Sequence, residues 1–225
     1  MLTILAIIGL LIQCVFIGVE HKEKYVGALI LKTTASIVFV IIGYIAYMAN
    51  FDALQGGLGK FVIFGLIFGA AGDFFLNLRF VLKNIGQVIF LVGIAIFLTG
   101  HIMYLIALIN LSTNVLLSVV VGVIASALLL IWIFSKIEAK MAFKIFGVFY
   151  IGAVTLMATF AVINCISNPC TFLYVYAIGA LLFLVSDVVL ILNTFTKKTL
   201  FSLRITNLTL YYLGQLAIAI SLYLK

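Results

Sequence analysis

Apolar residues run in eight long blocks along the chain, and charged residues gather in the short intervals between them. The blocks are Leu2–Val19, Tyr25–Ala49, Phe61–Leu78, Val88–Ile109, Val115–Ser135, Ile145–Ser167, Thr171–Thr194 and Ile205–Leu224. Each is long enough to cross a hydrocarbon core of ~30 Å, some with tilt. The apolar/polar alternation that marks barrel strands is absent. The pattern predicts an all-α polytopic membrane protein of eight transmembrane helices. A single proline and the lack of any Ser/Gly/Pro-rich linker make residues 1–225 one domain.

The intervals differ in charge. The first, third, fifth and seventh hold Lys22, Lys24, Arg79, Lys83, Lys136, Lys140, Lys144, Lys197, Lys198 and Arg204, whereas the even intervals hold only Lys60. The positive-inside rule then places the odd loops in the cytoplasm and both termini outside. Composition agrees with a membrane protein: 67% of residues are hydrophobic and 8% charged. The net charge of +7 sits in these short loops, so it speaks for orientation and anionic lipid headgroups rather than for nucleic acid. The first block lacks a basic leader and a small-residue cleavage site, and is expected to be a retained helix rather than a signal peptide. Retrieval and transit signals are absent, which fits a bacterial cell membrane. Cys14, Cys165 and Cys170 lack metal-type spacing; Cys165 and Cys170 flank Pro169 and can pair if that loop faces an oxidising compartment, but the expectation is small buried apolar residues.

Two carboxylates interrupt the apolar blocks. Asp73 lies in Phe64-Gly65-Leu66-Ile67-Phe68-Gly69-Ala70-Ala71-Gly72-Asp73-Phe74-Phe75-Leu76-Asn77, where Gly65, Gly69, Asp73 and Asn77 share one helical face. Small residues on that face let another helix come close, so the face points into a bundle and Asp73 with it. Asp187 lies 114 residues further on, and the same offset maps Gly100 to Gly214 and His101 to Gln215. Both aspartates open Asp-x-x-Leu-x-Leu. An offset spanning four helices suggests two parallel repeats about the membrane normal.

Topology and helical rise set the depth of each polar group. Counted from the odd-loop side, Asp73, Asp187, Lys32, Tyr211 and Tyr212 fall at ~8–10 Å, Gln215 at ~15 Å and His101 at ~20 Å. Four helices distant in sequence thus bring polar groups to one depth. Hydrocarbon makes an ionisable group costly, so each is a functional-site candidate. Two carboxylates in unlike surroundings can hold different protonation states and divide acid and base work. Simpler roles compete: both aspartates can cap or pair with Lys32, Lys32 can snorkel, Gln215 can be interhelical glue, and His101 can bond a neighbour. Arg79 reads as a topology signal and Trp132 as an interfacial anchor. Two histidines cannot form a three-histidine zinc site, and no GxSxG, HExxH or phosphate-loop motif is present. No metal or other cofactor is expected.

These residues resemble the YhhN family of membrane proteins, which includes lysoplasmalogenases. The likeness rests on Lys32, on Gly72-Asp73-x-x-Leu76, and on Gly93-x-x-x-Phe97-x-x-Gly100-His101-x-x-Tyr104. It continues through Gly179-Ala180-x-x-Phe183-x-x-Ser186-Asp187-x-x-Leu190 to Phe195, and Tyr211-Tyr212-x-x-Gln215. It covers most of the chain after the first helix. Thr33 departs from the pattern where family members often have proline, which alters a local kink more than any chemistry. The resemblance implies an eight-helix bundle that hydrolyses the vinyl ether bond of lysoplasmalogens, releasing a fatty aldehyde and a glycerophospho-ethanolamine or -choline. Asp73 and Asp187 would be the catalytic pair, with either one the acid. Lys32 would hold one of them ionised or meet the lipid phosphate. Asn77, Tyr211, Tyr212 and Gln215 would support or contact the substrate, and His101 would stand behind them. The expected partners are a lysophospholipid substrate and the bilayer. A small-solute or proton-coupled transporter and a non-catalytic lipid-binding protein are the alternatives the residues leave open.

Overall fold

The computed structural model describes residues 1–54, 57–139, 141–196 and 199–225. Lys140, Lys197 and Lys198, counted above among the bases of the odd loops, lie outside the described residues. Eight helices follow one another: α1 (Leu2–His21), α2 (Tyr25–Ala49), α3 (Leu58–Val81), α4 (Gly86–Ile109), α5 (Val115–Phe134), α6 (Met141–Ser167), α7 (Thr171–Phe195) and α8 (Phe201–Ser221). Short 3-10 turns cover Lys83–Ile85 and Leu222–Leu224, and the described residues contain no strand. All eight helices are long and apolar enough to cross a bilayer.

The helices outrun the apolar blocks at several ends. α3 begins at Leu58 rather than Phe61 and α6 at Met141 rather than Ile145; α8 runs from Phe201 instead of Ile205. Hydropathy marks the depth of hydrocarbon, whereas a helix stops where its backbone turns. Lys60, Arg79, Lys144 and Arg204 are therefore helical although each lies outside or at the edge of its block. One start has a backbone cause: Gly57, just before α3, takes φ +98, which residues with a side chain rarely adopt.

Helices that follow one another pack side by side except α4 and α5, and the halves join chiefly through α2 on α8 and α4 on α6. These two junctions are equivalent under the 114-residue offset. The offset also carries α1–α4 to 116–135, 139–163, 172–195 and 200–223, close to the observed α5–α8. Detail agrees. A Cβ built on Gly100 would lie 3.2 Å from the Gly65 carbonyl, and one on Gly214 would lie 2.9 Å from the Gly179 carbonyl. Both helical hairpins thus cross backbone to backbone at matching glycines, as small-residue interfaces in membranes do. A second match under the offset sets Gly72 and Gly93, packed under Phe97 and Leu76, against Ser186 and Asn207 in the other half. Ser186 Oγ donates to the Asn207 carbonyl at 3.0 Å, and Asn207 Nδ2 donates to the Ser186 carbonyl at 3.0 Å.

Burial follows the bundle. Phe39, Ile42, Leu66, Tyr104, Phe160 and Tyr212 are enclosed between the helices, while α5 exposes Leu116, Leu128 and Ile131 to its surroundings. An apolar helix exposed in this way belongs in lipid. Trp132, near the odd-loop end of α5, is exposed.

Candidate active site

Asp73 is buried on α3 at 4% exposure, and Lys32 on α2 at 1%. Lys32 Nζ lies 3.3 Å from Asp73 Oδ2. The same oxygen accepts hydrogen bonds from Ser36 Oγ and, at 2.8 Å, from Tyr211 Oη. An ammonium and a hydroxyl from α2 and a hydroxyl from α8 therefore compensate one carboxylate. Each charge-assisted bond offsets part of a desolvation cost that hydrocarbon would leave unmet. Lys32 also donates to Gln13 Oε1 at 3.5 Å, and its Nζ stands 4.4 Å from the Tyr211 ring centroid. Gln13 in turn donates to the Leu208 carbonyl at 3.3 Å. Lys32 is held inward here and does not snorkel.

Asp187 on α7 is also buried, with different company. Tyr150 Oη on α6 donates to its Oδ2 at 2.9 Å, and His101 Nε2 on α4 lies 3.8 Å from the same oxygen. His101 Nε2 is 3.4 Å from Tyr150 Oη, and its Nδ1 has no partner. Among the described residues no Lys or Arg nitrogen comes within 4.0 Å of Asp187. The axial depths set His101 and Asp187 ~10 Å apart. The side chains close that gap because Cβ atoms lean toward the helix N-terminus. α4 and α7 run in opposite senses, so His101 leans toward the odd loops and Asp187 away from them.

Hydropathy and helix depth do not single out Tyr150 or Ser36, yet each donates to one of the two carboxylates. Both are separated from their aspartate by 37 residues, and 114 residues separate them from each other. The repeat therefore contained the signal: the residue matching a polar group on α2 is a polar group on α6.

The remaining candidates sit around this pair. Gln215 Nε2 donates to Tyr211 Oη at 3.4 Å, and Gln215 Oε1 accepts from Tyr104 Oη at 2.8 Å. Gly69 leaves room for that amide, since a Cβ there would stand 2.6 Å from Gln215 Nε2. Tyr212 faces away: its hydroxyl donates to the Ala35 carbonyl at 2.9 Å and fills the space above Gly9. Asn77 is one turn from Asp73; its Nδ2 donates to the Asp73 carbonyl at 2.9 Å, while its Oδ1 is buried without a partner.

Both aspartates border a cavity of about 100 Å³ between the halves. Lys32, Asn77, Arg79, Tyr150, Arg204 and Tyr211 supply its other polar wall, and Phe90, Phe97, Phe134, Phe143, Phe146 and Phe195 its apolar one. Tyr212, Gln215 and His101 lie outside this wall. The cavity sits toward the odd-loop ends of α3, α7 and α8, where Arg204 is tied to Glu20 by bonds of 3.1 and 2.6 Å.

Eight helices long and apolar enough to span a bilayer, with two buried carboxylates at a cavity lined by residues of α2–α8, define a polytopic membrane protein. The chain belongs to the YhhN family, whose model matches residues 27–222. No curated protein and no solved structure matches it.

Proposed function

We propose that the protein is a membrane-embedded hydrolase of lysoplasmalogens. It cleaves their vinyl ether bond to give a fatty aldehyde and a glycerophospho-ethanolamine or -choline. One observation carries this reading: two carboxylates from matching positions in the halves share a cavity, one beside a lysine ammonium and the other beside a tyrosine hydroxyl and an imidazole, with no Lys or Arg nitrogen within 4.0 Å among the described residues. That division suits acid and base roles. Asp187, protonated, is the donor; Asp73, held as an anion by Lys32, is the base and the counter-charge.

The steps balance on these residues. Asp187 gives its proton to the outer vinyl carbon, and an oxocarbenium ion forms at the carbon bonded to oxygen. The Asp73 carboxylate stabilises that cation, as an anionic carboxylate does in glycoside hydrolysis. Water attacks the cationic carbon and passes a proton to Asp73, leaving a hemiacetal. The hemiacetal C–O bond to glycerol then breaks. Asp73 returns its proton to the leaving oxygen while the hemiacetal hydroxyl proton goes to Asp187, so both acids regain their starting states. Tyr150 orients Asp187, with His101 behind it. Tyr211, fixed by Gln215 and Tyr104, orients Asp73. The cytoplasmic side of the membrane, where the positive-inside rule puts the odd loops, is where substrate enters.

The test is to incubate purified protein with a lysoplasmalogen and with a saturated lysophospholipid of equal chain length. Aldehyde release from the first alone is expected, lost in Asp73→Asn and in Asp187→Asn. Aldehyde formation that survives both substitutions would remove the pair from the chemistry. Turnover of neither lipid would return the protein to a binding or transport role, which uptake into proteoliposomes would then decide.

A further inference from the structure

Two cations at the cavity take no part in the proton chemistry, Arg79 and Arg204, and of these Arg204 is paired with Glu20. Arg79 lies six residues beyond Asp73 on α3, ~9 Å further toward the odd loops. Its guanidinium carbon is 4.5 Å from the ring centroids of both Phe80 and Phe90, and it borders the cavity. Its Nε is buried and has no hydrogen-bond partner. Among the described residues no carboxylate lies within 4.0 Å of it, whereas Lys32 is spent on Asp73 and Arg204 on Glu20. Stacking on rings fixes a guanidinium plane and leaves its edge free to meet an oxyanion in a bidentate fork. The repeat sharpens the contrast. Asn193 is the counterpart of Arg79, and its Oδ1 accepts the Leu200 N–H at 2.7 Å. The same position closes a loop in one half and presents an unmatched charge to the cavity in the other.

We propose that Arg79 is the seat for the phosphate of a single-tailed phospholipid, reached while the tail's first carbons lie between Asp73 and Asp187. The geometry rests on the hydrolase reading. In a lysoplasmalogen about seven bonds separate phosphorus from the outer vinyl carbon, an extended reach of about 9 Å at ordinary bond lengths. That equals the axial step from Asp73 to Arg79. Between them, Asn77 keeps its Oδ1 unpaired beside the cavity. The free glycerol hydroxyl of a single-tailed lipid is a donor for it; the ester of a two-tailed lipid has no proton to give.

The experiment separates binding from turnover. A saturated alkyl-ether lysophospholipid, which cannot be cleaved, is titrated against an alkylglycerol of the same tail, using full-length protein in nanodiscs. Wild type is expected to prefer the phosphorylated lipid by ~10–100-fold, the worth of a charge-assisted bidentate contact. Arg79→Gln abolishes that preference without weakening alkylglycerol binding, and Arg79→Lys keeps part of it. If Arg79→Gln fails to fold, partial loss in Arg79→Lys carries the same test. Excess inorganic phosphate leaves the lipid bound; displacement by it would reassign the seat to a free anion. Equal binding of both lipids by wild type would overturn the proposal. These outcomes stand apart from aldehyde release, so a phosphate preference without turnover would sink the hydrolase reading alone.

Discussion

Replacing Lys32 by methionine keeps the length of the side chain and removes its charge. Lys32 and Asp73 are 1% and 4% exposed and 3.3 Å apart, so Asp73 is left as a buried anion. Breaking such a pair from one side costs about 3–5 kcal/mol. Two things limit the penalty here. Ser36 and Tyr211 still donate to Asp73, each bond to a charged group being worth about 1.5–3 kcal/mol. Protonating a free carboxylate at pH 7 costs about 4 kcal/mol, which caps the loss. The expected destabilisation is therefore about 2–4 kcal/mol. Asp73→Asn leaves Lys32 with Gln13 and the Tyr211 ring, and is expected to cost a similar amount. The double variant leaves no unpaired charge, so it should lie at least about 1 kcal/mol above the sum of the singles. Unfolding in mixed micelles, followed by the fluorescence of Trp132, measures all four corners of the cycle. Strict additivity would mean that the two charges do not compensate each other, and the division of roles between the aspartates would lose its basis.

Other substitutions test separate links. Tyr150→Phe removes the hydroxyl that orients Asp187 and is expected to lower aldehyde release by ~10–100-fold, at most the low end of the ~10²–10⁴-fold that loss of an acid or base itself costs, with thermal stability nearly unchanged. Gly214→Ala places a methyl 2.9 Å from the Gly179 carbonyl and should cost about 1–3 kcal/mol, whereas Gly18→Ala meets nothing within 4 Å and should be neutral or slightly stabilising. For orientation, Lys22→Cys and Asn168→Cys are compared in a background lacking Cys14, Cys165 and Cys170. An impermeant thiol reagent added to intact cells should label the second and not the first; the reverse pattern would invert the bundle.

The number of helices and the inward face of α3 were legible because both follow from hydropathy and periodicity alone. Asp73 and Asp187 stood out because a carboxylate in an apolar helix has few uses. Arg79 did not, since a base at a helix end serves orientation by default and only coordinates show that its Nε is unpaired. Tyr150 was hidden for another reason: a tyrosine in a membrane helix has many roles, and its direction depends on how α6 packs on α4. Tyr212 illustrates the converse. It adjoins Tyr211 in sequence, but successive helical residues point about 100° apart, and its hydroxyl reaches the α2 backbone instead of the cavity.

The 114-residue correspondence between the halves explains why two acids meet, and departures from it explain how they differ. A two-fold arrangement brings matching positions of the halves to a shared axis, so an aspartate in each repeat arrives at one cavity without any long-range design. Identical halves would leave identical carboxylates, which cannot divide donor and acceptor work. The asymmetry enters through their partners. Lys32 corresponds to Phe146, Ser36 to Tyr150, Tyr211 to Phe97, and Gln215 to His101. Lys32 and Tyr211 put charge and hydroxyl on the Asp73 side where the other half has phenylalanine rings, Gln215 puts an amide behind Tyr211 where the other half has the His101 imidazole, and the Ser36–Tyr150 pair keeps a hydroxyl on both carboxylates. Installing a second ammonium is therefore a direct trial of the idea. Phe146→Lys, whose parent residue borders the cavity opposite Lys32 in the repeat, should draw Asp187 into an ion pair as Lys32 does Asp73. With both carboxylates held as anions the proton donor is gone, and aldehyde release should fall by ~100-fold or more while the fold stays intact, since the general-acid step alone supplies that much. Undiminished activity in a folded Phe146→Lys protein would show that the unlike surroundings of the two acids are incidental.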